Sequence, residues 1–490
     1  MLRPVVYRVF DDMPSKRGLS RWCAGTSGMW RRTARGFVTP SQAATRPPVC
    51  WQPDAAAVGQ CNLTAFADSV AREHRMERFA NRDLADYRRL HAWSVSNPGA
   101  FWRAVWDYVG FVGDLDPAAD VVEPGSAAWA SSGNPAAQWF PNARVNHAEN
   151  LLVHGADDSP ALIFASETRR PQDPLLVLTY KQLRGKVGAL AAALAADGVG
   201  PGDSCAGYVA NTPDAVVAML AATSLGASWA MCSPDFGQRG VVDRLGQVQP
   251  KVLFVHDRYY YRGKRFDMAP KVDAISSFLP TTTRTVVLSY PGGVGGAAEG
   301  NRPEDMPRMP GVVRLEDYVA SHTGTALQFH RSGFNTPVYI MFSSGTTGAP
   351  KCMVQGCGPT FLKVCSCGGF VLKSVRALTF ENLDKGVTLN HAKEAALHFD
   401  INPLQNVFWF TTTGWMMWQW LIGGALTRGA AALLYDGDPF YPRPSHLWEI
   451  AMEAELDVFG TSAKWLHACS THEVCMCVCV CVCVCVCVVE

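Results

Sequence analysis

The sequence predicts an α/β protein built from mostly parallel sheets layered with helices, and three observations carry that prediction. Between Leu178 and Asp257 helical and strand patterns alternate in the manner of βαβ units. The chain is long and apolar, 490 residues with 48% hydrophobic and 18% charged, enough for two or three domains at roughly 150 residues each. A short strand at residues 338–342 runs straight into a turn rich in serine, threonine and glycine, the usual strand-to-loop transition of a parallel sheet.

The elements can be justified in order. Leu84–Val109 carries Tyr87, Leu90, Trp93, Phe101, Trp102, Val105, Trp106 and Tyr108 at loosely helical spacing, which reads as a helical region packed on the core. Thr179 with Gln182 three residues on forms a capping box; Leu183, Val187, Leu190 and Leu194 make one apolar stripe, and Gly198 stops the helix. A strand over Cys205–Val209 follows. Pro213 suits the first turn of a helix capped by Asn211 or Thr212, which Gly226 ends before a strand over Ser228–Cys232. A helix over Val241–Val248 leads through Pro250 into a strand over Lys251–His256, and Ser289–Pro310, rich in Gly and Pro, reads as a surface loop.

Composition excludes several function classes. Lys+Arg is 44 and Asp+Glu 43, so no global basic field holds nucleic acid or an anionic membrane. Residues 1–50 nevertheless carry nine basic residues against Asp11 and Asp12, a basic leader without the patterning of a packed core. Its arginines suggest a transit peptide, but Asp11, Asp12 and the lack of an amphipathic helix argue for the cytosol over mitochondrial import. Seven of the seventeen cysteines alternate from Cys475 to Cys487 and the other ten are scattered, which reads as reduced thiols rather than a disulfide framework. Val407–Thr427 is uncharged and long enough to span a bilayer, but Thr411, Thr412, Thr413, Gln419, Gly414, Gly423 and Gly424 make a buried segment the better reading. No membrane span is expected.

The run Val338-Tyr-Ile-Met-Phe-Ser-Ser-Gly-Thr-Thr-Gly-Ala-Pro-Lys351 carries the chemistry. Gly345 and Gly348 let the backbone turn back and present successive N–H groups, while Ser343, Ser344, Thr346 and Thr347 add hydroxyl donors. Such a turn cradles phosphate oxygens, with Lys351 as a cation. It is not the Walker loop, because Ala349 and Pro350 intervene before the lysine.

This run resembles the nucleotide-phosphate loop of the adenylate-forming acyl-CoA synthetase superfamily. Longer blocks carry the resemblance: Trp51-Gln-Pro, Asn62-Leu-Thr, Trp139 to Leu151, Ser233-Pro-Asp-Phe-Gly237, Thr411 to Trp418, and Phe459 to Trp465. Gly414-Trp-Met-Met-Trp418 and Cys352-Met-Val favour the acetoacetate branch over the acetate branch. The resemblance implies ATP-dependent ligation of an acid to CoA through an acyl-adenylate. Acetoacetate is the expected acid, and an acetyl- or propionyl-CoA-synthetase-like ligase or a non-catalytic nucleotide-binding remnant are the alternatives. ATP and CoA are the expected co-substrates, with Mg²⁺ entering on ATP through Thr346 or Thr347 and no metal site of the chain's own. Lys351 and Ser343–Gly348 would hold the nucleotide phosphates. Thr413, Gly414, Trp415, Met416 and Met417 would wall the acyl pocket, and Gly460, Thr461 and Ser462 would add a second lining turn.

The expected organisation is a leader over 1–50, an N-terminal helical region of acyl-CoA synthetase type over 51–150, an AMP-binding domain over 151–470 and a Val-Cys tail over 471–490. The family's small C-terminal domain, with its adenylation lysine, is expected to be absent. Residues 359–385 have no family counterpart and read as retained intron sequence. The spacing of Cys352, Cys357, Cys365 and Cys367 departs from paired CxxC zinc ligands. The tail reads as translation through a GT dinucleotide repeat, although its period of two is also the strand period.

Overall fold

The computed structural model describes residues 53–122, 139–291, 311–342, 350–356 and 387–471, together with the backbone of Cys483–Cys485. The expected leader 1–50, the insert 359–385 and most of the 289–310 loop lie outside these residues. All five cysteines in the described segments whose side chains are placed, Cys61, Cys205, Cys232, Cys352 and Cys469, are free.

The chain opens with helices α1 (Ala55–Gln60), α2 (Asn62–Glu73), α3 (Leu84–Ser96) and α4 (Pro98–Tyr108). The aromatic stretch thus divides into two helices at Asn97, because Pro98 cannot continue the first but fits the first turn of the second. Phe66, Trp102 and Trp106 enter the main core, and Asn62 ties the region to a distant segment through two hydrogen bonds to Asp400 Oδ1 (2.7 and 2.8 Å). Strands β1 (Gly113–Asp114) and β2 (Arg144–Val145) precede α5 (His147–Leu152), β3 (Pro160–Ser166), β4 (Leu176–Thr179), α6 (Tyr180–Ala196), β5 (Ser204–Tyr208), α7 (Pro213–Ser224), β6 (Ser228–Cys232), α8 (Gln238–Val248) and β7 (Val252–His256). The capping box at Thr179 and Gln182 forms as the sequence predicts. Helix α8 begins three residues before the expected Val241, directly after Gly237.

A hairpin, β8 (Arg258–Tyr261) and β9 (Lys264–Asp267), leads to α9 (Ala269–Ser276), β10 (Arg284–Leu288), β11 (Val312–Arg314), α10 (Leu315–Val319), β12 (Ser332–Gly333), β13 (Pro337–Phe342) and β14 (Cys352–Gly356). After α11 (Val387–Lys393) and a π-helical turn come β15 (Asn406–Trp409), α12 (Met416–Leu426), β16 (Ala431–Asp436), α13 (His446–Glu453), β17 (Val458–Gly460) and α14 (Ala463–Thr471). The backbone of β18 (Cys483–Cys485) pairs parallel with β17.

Two sheets organise these elements. One has seven strands in the order β11-β10-β7-β5-β6-β13-β14, the other six in the order β18-β17-β15-β16-β3-β4. Pairing is parallel except at β13–β14 and β3–β4, as βαβ connections require. Alternate residues sort the strands into layers. Cys205, Trp229 and Phe254 face the central core with Leu162, Val407 and Leu434 of the other sheet, sandwiching α6, α7 and α12. Ala206, Ala230 and Leu253 face outward under α8 and α9, while Ile163, Phe408 and Leu433 face α13 and α14.

The central position of α7 and α12 explains their composition. A helix covered on both sides has no polar face to keep, so Val216–Leu220 and Trp418–Leu426 are buried throughout. The uncharged run Val407–Thr427 is therefore a buried strand and a largely buried helix, joined by a turn at which Thr412, Trp415 and Met416 are exposed. Among the described residues no helix is long and apolar enough to cross a membrane.

Candidate active site

Strand β13 ends at the carboxyl edge of the seven-stranded sheet and leads into the run expected to bind phosphate. It lies parallel to β6, with Tyr339 opposite Trp229 and Ile340 opposite Ala230, and antiparallel to β14, where Phe342 pairs with Cys352. That last pair closes a loop over residues 343–351 and returns Lys351, exposed, to the loop's base. Ser343, Ser344, Gly345, Thr346, Thr347 and Gly348 lie outside the described residues. The strand is fixed from below: the Tyr339 hydroxyl lies 2.6 Å from His147 Nε2, and His147 Nδ1 lies 2.7 Å from Thr388 Oγ1 on α11. Burial holds the His147 imidazole neutral, its pKa lowered to about 3, with His391 adding to the effect.

The turn Thr411–Trp415 joins β15 to α12 and meets the same edge from the other sheet. Thr413 Oγ1 donates to the carbonyl of Val209, just beyond β5, at 2.6 Å. Gly414 has φ +90°, and a Cβ there would stand 3.3 Å from the Met231 carbonyl oxygen. Gly414 thus rests against the end of β6, the strand that pairs with β13. Trp415 and Met416 are 61% and 45% exposed, and Met417 is half-buried. The expected apolar lining is thus two open side chains on a buried mounting.

The second turn is anchored to the first. Phe410 N–H donates to the Gly460 carbonyl at 2.8 Å. The Trp409 ring covers Gly460 so closely that a Cβ would fall 2.1 Å from it. Thr461 is buried with Oγ1 making no hydrogen bond. Ser462 Oγ accepts from Trp465 N–H at 3.3 Å and so caps the start of α14.

Residues that sequence reasoning missed join the two sheets at this edge. Asp436, at the end of β16, accepts hydrogen bonds from Asn211 N–H (2.9 Å) and the Tyr290 hydroxyl (2.8 Å). Burial pushes its carboxyl up to about 6, against the pull of those two donors. Glu167, after β3, accepts the N–H groups of Arg262 and Gly263 in the β8–β9 hairpin and of Asp438. Arg262 also pairs with Asp438. His256 accepts Ala210 N–H at Nδ1, which leaves the proton on Nε2 facing Thr212 Oγ1 at 3.0 Å. Thr212 is therefore the residue before α7 but spends its hydroxyl on His256 instead of the helix.

One expectation follows for the mounting. Gly414→Ala places a side chain at φ +90° against the Met231 carbonyl, which should cost about 1–3 kcal/mol of stability. Thermal unfolding checks this; a variant with wild-type stability would show that the turn tolerates a Cβ.

Comparisons with known proteins agree with this arrangement. Residues 153–368 match the model for AMP-binding enzymes, and residues 87–151 match that for the acetyl-coenzyme A synthetase N-terminus. The acetoacetyl-coenzyme A synthetase of Rhizobium meliloti is 39% identical over 420 residues, covering 85% of this chain and 56% of that protein. The malonamoyl-CoA synthetase of Penicillium aethiopicum is 35% identical over 372 residues, covering 74% of this chain and 45% of the relative. A solved acetoacetyl-CoA synthetase from Streptomyces lividans superposes with TM-score 0.69 at 34% identity, covering 87% of this chain and 57% of that one. The chain thus spans somewhat more than half the length of the acetoacetyl-CoA synthetases it matches. With the loop-bearing strand β13 inside the AMP-binding match and helix α4 inside the N-terminal match, the chain is homologous over most of its own length to acetoacetyl-CoA synthetases.

Proposed function

We propose that the protein ligates acetoacetate to CoA at the expense of ATP, through an acyl-adenylate. The observation that carries this reading is the meeting of two features at one sheet edge: the β13–β14 hairpin that returns Lys351 to the base of its loop, and the turn that mounts Trp415 and Met416. In the first step a carboxylate oxygen of the acid attacks the α-phosphorus of ATP, taken as its magnesium complex, and pyrophosphate leaves. In the second, the CoA thiol attacks the acyl carbon, AMP leaves with the former carboxylate oxygen, and the thiol proton passes to solvent. Both reactants of the first step are anions, so catalysis consists of holding them in line and neutralising the departing pyrophosphate. The N–H and hydroxyl groups of Ser343–Gly348 with Lys351 take the phosphates, and Thr413–Met417 with Gly460–Ser462 take the acid. The balanced composition and the expected reduced thiols support a cytosolic site of action with small-molecule partners only.

One observation bears on the acid. The relatives include a malonamoyl-CoA synthetase, and malonamoyl and acetoacetyl groups both carry a second carbonyl at C3. The site is therefore read as selecting a short 3-oxo acid over acetate or propionate. The test is pyrophosphate release and CoA-thioester formation by the purified chain with acetoacetate, malonamate, acetate and propionate. Turnover strongest with a 3-oxo acid is expected. Calorimetric binding of ATP without turnover on any acid would replace this reading with that of a nucleotide-binding protein.

A further inference from the structure

Asn211 lies between β5 and α7 and is 3% exposed. Its side-chain amide is engaged on both sides. Nδ2 donates to the carbonyls of Tyr435 (3.1 Å) and Thr411 (3.4 Å), and Oδ1 accepts the Trp418 indole N–H at 2.8 Å. Two carbonyl partners on one side and an N–H on the other fix which way the amide points. Its backbone N–H binds Asp436. None of these bonds caps α7, so the helix does not explain the residue. They run instead to the six-stranded sheet and to both ends of the turn, Thr411 before it and Trp418 after it.

Between those ends the turn touches the seven-stranded sheet twice more, through Thr413 to Val209 and through Gly414 beside Met231. Trp415 and Met416 project from the bracketed segment with large exposed surfaces, so the bracket sets where they stand. A buried amide making three bonds in a low-dielectric setting gives a rigid mounting, because each lost bond leaves a buried polar group unpaired.

We infer that Asn211 is a positioning residue that sets the Thr411–Met417 wall and thereby which acid the site accepts. The acyl role of that wall rests on the function proposed above. Asn211 touches no substrate; it acts through the wall.

Hydrogen exchange on the full chain tests the mounting without any need for turnover. Asn211→Ala removes all three side-chain bonds. Asn211→Asp keeps the volume and the acceptor for Trp418 but turns the donor facing Thr411 and Tyr435 into an acceptor. Val216→Ala, a fully buried change on the helix that follows Asn211, is the control for general loosening. In both Asn211 variants, amides over 410–418 should exchange roughly tenfold faster, the size of losing one or two buried hydrogen bonds, with β5 and β16 unchanged relative to the control. Exchange that is unaltered, or raised as evenly as in Val216→Ala, overturns the inference.

Kinetics supply the second arm. Asn211→Asp should change the ratio of kcat/KM for acetoacetate over acetate by roughly tenfold while KM for ATP stays put, and an unchanged ratio overturns the inference even if exchange rises. A wild-type chain without turnover strikes the proposed function instead, and the exchange result still decides the mounting.

Discussion

Lys351→Ala is expected to slow acetoacetate-dependent pyrophosphate release by about 10²-fold or more, the loss that follows removal of one well-placed electrostatic donor from a developing anion. The geometry behind this is the hairpin. Phe342 pairs with Cys352, so the chain that leaves the sheet at residue 343 must come back at 351, and Lys351 stands at the base of the loop it closes. On the proposed function, a cation there stands close to the nucleotide phosphates. The charge on pyrophosphate grows as the bond to the α-phosphorus breaks, so the effect should fall on kcat more than on KM for ATP. Lys351→Arg keeps the charge but not the compact ammonium, and should recover part of the rate. Measured burst and steady-state rates of pyrophosphate release decide the matter. A wild-type rate with wild-type ATP affinity in Lys351→Ala would reduce the residue to an exposed side chain at a strand start.

Local signals in the sequence proved reliable where one short segment determines the outcome. The capping box at Thr179 and Gln182, the proline at the start of α7 and the strand Ser228–Cys232 fall where the sequence predicts. The two turns carry glycines where a side chain would crowd a neighbour, the Met231 carbonyl at Gly414 and the Trp409 ring at Gly460. What could not be read is the seam between the sheets. Asn211 and Asp436 are 225 positions apart, and Tyr290 lies 146 positions from Asp436. No periodicity links such residues, and each alone passes for a turn residue or strand end. Asn211 illustrates the ambiguity: beside Pro213 it reads as a helix cap, yet tertiary partners on three other elements take its amide. The uncharged run at 407–427 was ambiguous for the opposite reason, because burial between two sheets and burial in lipid ask for the same composition.

The buried imidazoles predict a steep acid limit to stability. Burial lowers His147, His256 and His391 to about 3 and His398 to about 4, with the charge of His391 acting further on His147 and that of Lys393 on His391 and His398. In the unfolded chain each titrates near 6.5. Below about pH 6 the unfolded state therefore binds up to four protons that the folded state refuses, and stability must fall as pH falls. Asp436 works the other way. Its folded value near 6 stands above its unfolded value near 4, so between those limits the folded state holds one proton more, and the buried Asp257, also raised by desolvation, acts in the same sense. The imidazoles outnumber the two carboxyls, which leaves a net uptake of two to three protons on unfolding near pH 5. Each proton is worth about 1.4 kcal/mol per pH unit, so stability should drop by about 3–4 kcal/mol per unit between pH 6 and 4.5, comparable to the whole margin of a typical domain within two units. Urea titrations at half-unit steps of pH measure this slope directly. Asp436→Asn should steepen it by removing the opposing proton while raising stability at pH 7, where the wild-type carboxylate is charged and buried. A profile flat from pH 7 to 5 would mean that the imidazoles already reach water in the folded protein.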